Sequence, residues 1–193
     1  VSMESVATNL DRINVQIFGA DGQVVAESFS IGDPETDLNR PSVALLDSGN
    51  FVVVWEHNTF PSGTPGSIRA QVFDPSGTAV TSELLINQGT LTSVFPEVAA
   101  LPGGAFVVAW DTAAQFFRDS EARAFVSSGN PLGPLVVPPG PDESHSNQQI
   151  TVAGLPNGNY VLAWTEFTAS DTVPNDQDVR VFAAVYSPQG ALV

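Results

Sequence analysis

The sequence predicts an all-β fold of tandem four-stranded antiparallel units. A segment of the form Gly-x-[Phe/Tyr]-Val-[Val/Leu]-x-Trp occurs three times and ends at Trp55, Trp110 and Trp164, which are 55 and 54 residues apart. Glycine (16 residues) and proline (15 residues) are spread along the chain, as in proteins with many short strands and turns. No segment has helical periodicity of useful length. Four short strands per unit of this length predict a β-propeller-like fold.

Each unit is predicted to contain two hairpins. In the first hairpin, a strand ending in leucine leads through a turn into the tryptophan strand, over residues 41–55, 96–110 and 149–164. The second hairpin is fullest at residues 68–80 and has copies at 13–25 and 181–193. Its copy at 122–130 is degenerate. The order within a unit is therefore strand, turn, strand, variable loop, strand, turn, strand.

Counting these hairpins gives about 3.5 blades in a single repeat domain over residues 1–193. The half-unit covers 12–37, and the full units cover 38–92, 93–145 and 146–193. Both ends of the chain carry the same pair of strands, so we expect that the chain does not close into a ring alone. It would belong to a longer array or form a homodimer with seven blades. A β-sandwich or an open β-solenoid is the alternative architecture.

Charge and composition exclude several classes of partner. The net charge is -15, from 21 acidic residues against six basic ones, and all six are arginines. Phosphate backbones and anionic membranes would repel such a chain, so we expect neither nucleic acid binding nor membrane insertion. The absence of cysteine excludes disulfides, thiolate metal sites and a cysteine nucleophile.

Aromatic side chains are the candidate ligand contacts. Trp55, Trp110 and Trp164 could stack on sugars, but their identical placement in every unit favours packing between blades. Phe116 and Phe117 interrupt the third unit and could form an exposed contact patch or fold onto the core.

Acidic residues follow the tryptophans at Glu56, Asp111 and, one position later, Glu166. They could line the mouth of a central channel and bind a cation, or they could simply solvate the ends of strands. The two histidines, His57 and His145, lie far apart in the repeat and do not suggest a zinc site.

Two loops carry carboxylates and amides at a spacing that could wrap a calcium ion, which needs six to eight oxygen ligands. Neither loop has the EF-hand pattern. We therefore expect no required cofactor, with calcium as the candidate ion. The candidate ligands are Asp33, Glu35 and Asp37 in one loop and Asp171, Asn175, Asp176 and Asp178 in the other.

Catalytic motifs are missing from the sequence. There is no G-x-S-x-G, no H-E-x-x-H and no P-loop, and no pair of carboxylates has a spacing that implies hydrolysis. The sequence therefore predicts a protein without enzymatic activity.

The pattern V-A-x-L-x-x-G-x-F-V-V-x-W, followed by Gln71-Val-Phe73 and Leu84-Leu-Ile-Asn87, resembles tandem repeats of large secreted bacterial proteins. These are the RTX-like, hemolysin-type calcium-binding proteins and related surface adhesins. The glycine-rich calcium-binding nonapeptide of that family is absent, so calcium binding is not carried over. The resemblance implies an extracellular or cell-surface location.

We therefore expect a non-catalytic repeat domain for adhesion, surface assembly, or binding of a protein or glycan. Two alternatives stay open. One is a carbohydrate-active enzyme domain with its site at the blade centre, because tryptophans and carboxylates repeat side by side. The other is a calcium-stabilised structural spacer.

Overall fold

A computed structural model describes residues 12–32, 37–58, 65–87, 91–113, 118–139, 145–169 and 177–193. This part of the chain forms four antiparallel sheets, and its only helical element is a 3-10 turn at Pro102–Gly104. No helix within it is long and apolar enough to cross a membrane. The prediction of an all-β, propeller-like fold with four-stranded antiparallel units is confirmed.

The sheets follow one another along the chain. The first contains β1 (Ile13–Phe18) and β2 (Val24–Ile31). The second contains β3 (Asp37–Leu45), β4 (Phe51–Asn58), β5 (Ser67–Phe73) and β6 (Leu84–Leu85). The third contains β7 (Thr92–Ala100), β8 (Phe106–Ala113) and β9 (Arg118–Phe125), with a bridge from Ala122 to Val136 in place of a fourth strand. The fourth contains β10 (His145–Gly154), β11 (Tyr160–Ala169) and β12 (Gln177–Tyr186).

One type of tight turn closes six of the hairpins. In the turn after β3, the Leu46 N–H donates to the Asn50 carbonyl at 2.7 Å and the Gly49 N–H donates to the Leu46 carbonyl at 2.9 Å. Gly49 has φ +83°, a conformation that side chains disfavour. The recurring glycine of the repeat is therefore required by turn geometry. The same pair of bonds recurs around Gly22, Gly77, Gly129, Gly158 and Gly190.

The innermost strand of each complete sheet contains a bulge at an equivalent position. The strand register shifts between Asn39 and Ser42, between Val94 and Glu97, and between Gln148 and Thr151. Within each shift lies one non-glycine residue with φ of +48° to +56°, and we call these three the bulge residues: Arg40, Phe95 and Gln149. A bulge re-aims a side chain locally, so these positions depart from the regular alternation of the strand.

Consecutive sheets pack face to face through apolar side chains. β7 packs against β3, β4 and β5 of the second sheet, and β10 packs against β7, β8 and β9 of the third. Between the second and third sheets, Val52 and Val54 lie in one core with Phe106, Val108 and Trp110. This stacking explains why β4 and β8 are buried on both faces.

The first sheet is incomplete in the described part of the chain. Phe18 and Phe73 are 55 residues apart, so β1 and β2 are the counterparts of the outer pair β5 and β6. β1 pairs with β2, and no described strand pairs with its other edge. The inner strands β3 and β4 of the second sheet consequently lack part of the cover that their counterparts have.

A candidate ligand site at the inner-strand bulges

The three repeated tryptophans lie between sheets. Trp55 and Trp110 are fully buried and Trp164 is nearly so, and each packs on the face toward the preceding sheet. The Trp110 Nε1–H donates to Glu121 Oε2 at 2.8 Å. A sugar could stack on these indoles only if two sheets separated. Their packing role is what the structure describes, and ligand binding by them stays a prediction.

Glu56 and Asp111 link each unit to the next one. Both are almost completely buried, at 3% and 1% exposure. The Phe95 backbone N–H donates to Glu56 Oε1 at 2.7 Å, and the Gln149 backbone N–H donates to Asp111 Oδ2 at 2.8 Å. Each carboxylate therefore holds the bulge residue of the following unit by its main chain. This bond accounts for part of what stabilises the unusual bulge conformation.

Side chains also contact these two carboxylates. Arg40 Nη1 lies 2.9 Å from Glu56 Oε1 and 3.0 Å from Oε2, so the charge of Glu56 is paired. The Ser120 hydroxyl donates to Asp111 Oδ1 at 2.8 Å. One interpretation of the sequence was that these acidic residues solvate the ends of strands. Both are buried instead. They are anchors between units.

Glu166 differs from the other two because it lies one position later in its strand. Alternation along β11 places it on the same face as Leu162 and Trp164, toward the third sheet. It is 2% exposed, and its Oε1 has no hydrogen-bond partner among the described residues. Its cross-strand neighbour Asn147 also buries an unpartnered oxygen, Oδ1. The three acidic residues are thus not equivalent.

All three bulge residues are exposed on the inner strands, and two of them, Arg40 and Phe95, contact each other. The Arg40 side chain is 52% exposed, Phe95 is 38% exposed, and Gln149 is exposed as well. The Arg40 Cζ lies 4.2 Å from the centroid of the Phe95 ring, a cation–π contact. Two residues beyond Phe95, the exposed carboxylate of Glu97 lies near the Ser42 hydroxyl, with 3.4 Å between Glu97 Oε2 and Ser42 Oγ.

This arrangement suits a polyhydroxylated ligand. An aromatic face can pack against the apolar side of a sugar ring, while guanidinium, amide and carboxylate groups hydrogen-bond to hydroxyls. The sequence reasoning did not find these residues. The sequence does contain a signal for this position. Pro41 and Pro96 are equivalent and identical, whereas the residues directly before them, Arg40 and Phe95, differ in chemistry.

The predicted calcium ligands lie almost entirely outside the described residues. Asp37 is described, and its Oδ2 accepts a hydrogen bond from the Asn39 amide at 3.0 Å. The described residues contain no group of three or more acidic or histidine side chains that could hold a metal. Several residues singled out in the sequence lie outside the described residues: Phe116, Phe117, Asp33, Glu35, Asp171, Asn175 and Asp176. The side chains of Asp178 and His145 lie outside them as well.

Three pKa shifts occur in or near the seams between sheets, and burial raises the pKa of Tyr186 in one of them. Burial, with the nearby charge of Asp119, raises the pKa of Glu121 despite the opposing hydrogen bond from Trp110. Burial and the neighbouring Tyr186 raise the pKa of Tyr160 to about 12. These groups belong to the packing between units and do not contribute to the group of bulge residues.

No family model and no curated protein matches the sequence. Similar solved structures include an endo-arabinase from Bacteroides thetaiotaomicron (17% identity, 77% of this chain and 55% of that one, TM-score 0.45). An alpha-L-arabinanase from Penicillium chrysogenum is 13% identical over 93% of this chain and 69% of that one, with a TM-score of 0.45. A GH43 endo-arabinanase from Bacillus licheniformis is 12% identical over 90% of this chain and 63% of that one, with a TM-score of 0.47. The chain thus spans 55 to 69% of the length of these structures.

These neighbours correct two predictions. The resemblance to RTX-like calcium-binding repeats and adhesins is wrong, because the similar structures are arabinanases. The prediction of a protein without enzymatic activity is contradicted as well, since these neighbours are glycoside hydrolases. The physical reason is that the repeated positions encode turns and packing between sheets. Such positions do not distinguish a catalytic propeller from a structural array.

Proposed function

We propose that this chain is part of an extracellular carbohydrate-active domain whose glycan site lies along the inner strands. Arg40, Phe95 and Gln149 would contact the sugar. The observation that carries the proposal is the chemical difference among these three exposed side chains at one repeated position. Packing positions keep similar residues in each unit, whereas this position offers a cation, an aromatic ring and an amide.

The charge of the chain restricts the class of glycan. At a net charge of -15, the protein would repel polyuronates and sulfated polysaccharides. A neutral polysaccharide fits this charge and fits the mixed apolar and hydrogen-bonding character of the bulge residues. Arabinan is a suitable first polysaccharide to test, because the similar structures include arabinanases.

Glu97 is our candidate for proton transfer to or from a glycosidic oxygen. Its carboxylate is exposed, and Glu97 lies two residues beyond Phe95 on the same inner strand. Glu56 is a poorer candidate, since Arg40 and the Phe95 N–H already occupy its oxygens. Glycoside hydrolysis needs a second carboxylate roughly 5–10 Å away, so Glu97 would act together with another acidic group.

Affinity electrophoresis on neutral polysaccharides, with arabinan first, tests the site. We expect Phe95→Ala to weaken binding by up to about tenfold, because stacking on an aromatic face contributes up to about 1.5 kcal/mol. The substitution keeps the backbone N–H that donates to Glu56, so the bulge should stay intact. Phe18→Ala is the matched control, because Phe18 is a more exposed phenylalanine on β1.

Equal weakening by both substitutions, or no weakening by Phe95→Ala, would contradict the proposed site.

Release of reducing sugar then separates binding from catalysis. Glu97→Gln should retain binding and lose at least about 100-fold in turnover, as expected for a general acid or base. Unchanged turnover in that variant would remove Glu97 from the proposal.

A further inference from the structure

An apolar groove lies between the first and second sheets. It has a volume of about 440 Å³ and is bordered on one side by β1 and on the other by β3 and β4. Val43 and Leu45 are 64% and 71% exposed in this region, which is unusual for aliphatic side chains at strand positions. Together with Phe51 and Val53, we call these residues the groove floor.

Three of the four residues of the groove floor have a buried counterpart one unit later, and the fourth, Leu45, has a partly buried one. Val98, the counterpart of Val43, is 9% exposed, and the counterparts of Phe51 and Val53 are fully buried. In the third sheet, these counterparts lie in one core with the inner strand pair β3–β4 of the preceding unit. The four counterparts, each 55 residues later, are Val98, Ala100, Phe106 and Val108.

The neighbouring edge of β1 is also incomplete. Its counterpart β5 pairs with β4 over the whole length from Phe51–Phe73 to His57–Ser67. Among the described residues, β1 pairs with β2 alone, so its other edge presents backbone groups that a further strand could bond. The groove thus combines a strand edge that no described strand pairs with and a floor in which Val43 and Leu45 are uncovered.

We propose that this groove is the docking site for an antiparallel strand pair of the repeat's own inner type. The pair would bond to the open edge of β1 and cover Val43 and Leu45, as β3–β4 covers the equivalent residues of the third sheet. Continuity with the two seams already present in the fold supports this occupant. The fourth sheet of a second copy fits less well, because its outer strand β12 would occupy the place of β1.

A fusion protein tests the proposal. A copy of residues 38–55 joined directly before Val1 preserves the 55-residue spacing between each copied residue and its original. We expect hydrogen exchange of the edge amides of β1 to slow at least about tenfold, and the thermal midpoint to rise, because the added strands bury the groove floor.

The control is the same fusion with Val52→Asp and Val54→Asp in the added copy alone, which should give no protection. Equal exchange of β1 amides in the two fusions would overturn the proposal.

Light scattering of the unfused chain provides a second test. A dimer that Leu45→Asp converts to a monomer would show that a second copy occupies the groove, which also overturns it. Neither readout depends on glycan binding at Phe95.

Discussion

Two hydroxyl groups distinguish the fourth sheet from the second and third. Phe51 stacks on Phe73 at 5.4 Å between ring centroids, and the third sheet has an equivalent phenylalanine pair at 5.5 Å. In the fourth sheet, Tyr160 and Tyr186 take these positions, with ring centroids 5.9 Å apart. Their hydroxyls are buried and have no hydrogen-bond partner among the described residues. The tyrosines therefore bear a desolvation cost that phenylalanine avoids.

We predict that Tyr160→Phe stabilises the protein by about 1 kcal/mol. The substitution removes a buried, unsatisfied hydroxyl and keeps the stacked ring, and an unsatisfied polar group costs roughly 1–3 kcal/mol. Urea unfolding of both forms at neutral pH measures the difference. A destabilised variant would show that the Tyr160 hydroxyl has a partner in solution.

Glu121 should make stability depend on pH. Its folded-state pKa is raised above the ordinary 4.5, chiefly by burial, so the folded protein holds this proton more tightly than the unfolded chain does. The free energy of unfolding therefore falls as pH rises from about 4.5 through the raised pKa. Below pH 4.5 the group is protonated in both states and has no effect.

Glu121→Gln isolates this contribution, because a glutamine oxygen can still accept the Trp110 Nε1–H. We predict that the variant is more stable than the wild type above this pH window and equal to it below. Urea unfolding from pH 4 to pH 7 measures the difference in the free energy of unfolding between the two proteins. The other carboxylates contribute equally to both proteins, so they do not affect this difference. A pH-independent difference would contradict the assignment.

At the scale of single strands, Gly154 sets how closely two inner strands approach. A Cβ at this position of β10 would collide with the Ala100 carbonyl oxygen at the end of β7. Neither backbone can yield without moving a whole sheet. The small residue is therefore required by packing between units, whereas the turn glycines are required by their positive φ.

We predict that Gly154→Ala destabilises the protein by about 2 kcal/mol, within the range for overpacking a tight site. Gly22→Ala is the control, because a Cβ there meets nothing within 4 Å and the positive φ of +77° acts alone. That control should cost about 1 kcal/mol. Thermal unfolding of the two variants compares them, and a smaller loss for Gly154→Ala would refute the steric explanation.

Strands and turns were largely predictable because their signals are local. The segment Leu46–Asn50 specifies its own turn through Gly49, and the apolar run before Trp55 specifies a strand buried on both faces. The bulges were not predictable in this way. The conformation of Phe95 depends on the hydrogen bond that its N–H donates to Glu56, which lies 39 residues earlier in another sheet.

At the scale of the whole molecule, the fold was predictable and the function was not. The 55-residue period predicts stacked sheets because each unit repeats the residues that pack on its neighbours, such as Val52 and Val108. The same residues produced the incorrect resemblance to calcium-binding repeats. The activity that we propose instead depends on positions such as Arg40 and Glu97, which do not repeat and therefore carry no family signal.

The anchor between Glu56 and Phe95 has a consequence for how such a protein can change. The carboxylate holds the main chain of the bulge and makes no demand on the side chain that the bulge displays. Mutation at this position can therefore alter specificity while the seam between units stays closed. Residues 95 and 149 are therefore natural sites for a combinatorial library, in which new binders could be selected at little cost to folding, whereas the Arg40 side chain is needed to pair Glu56.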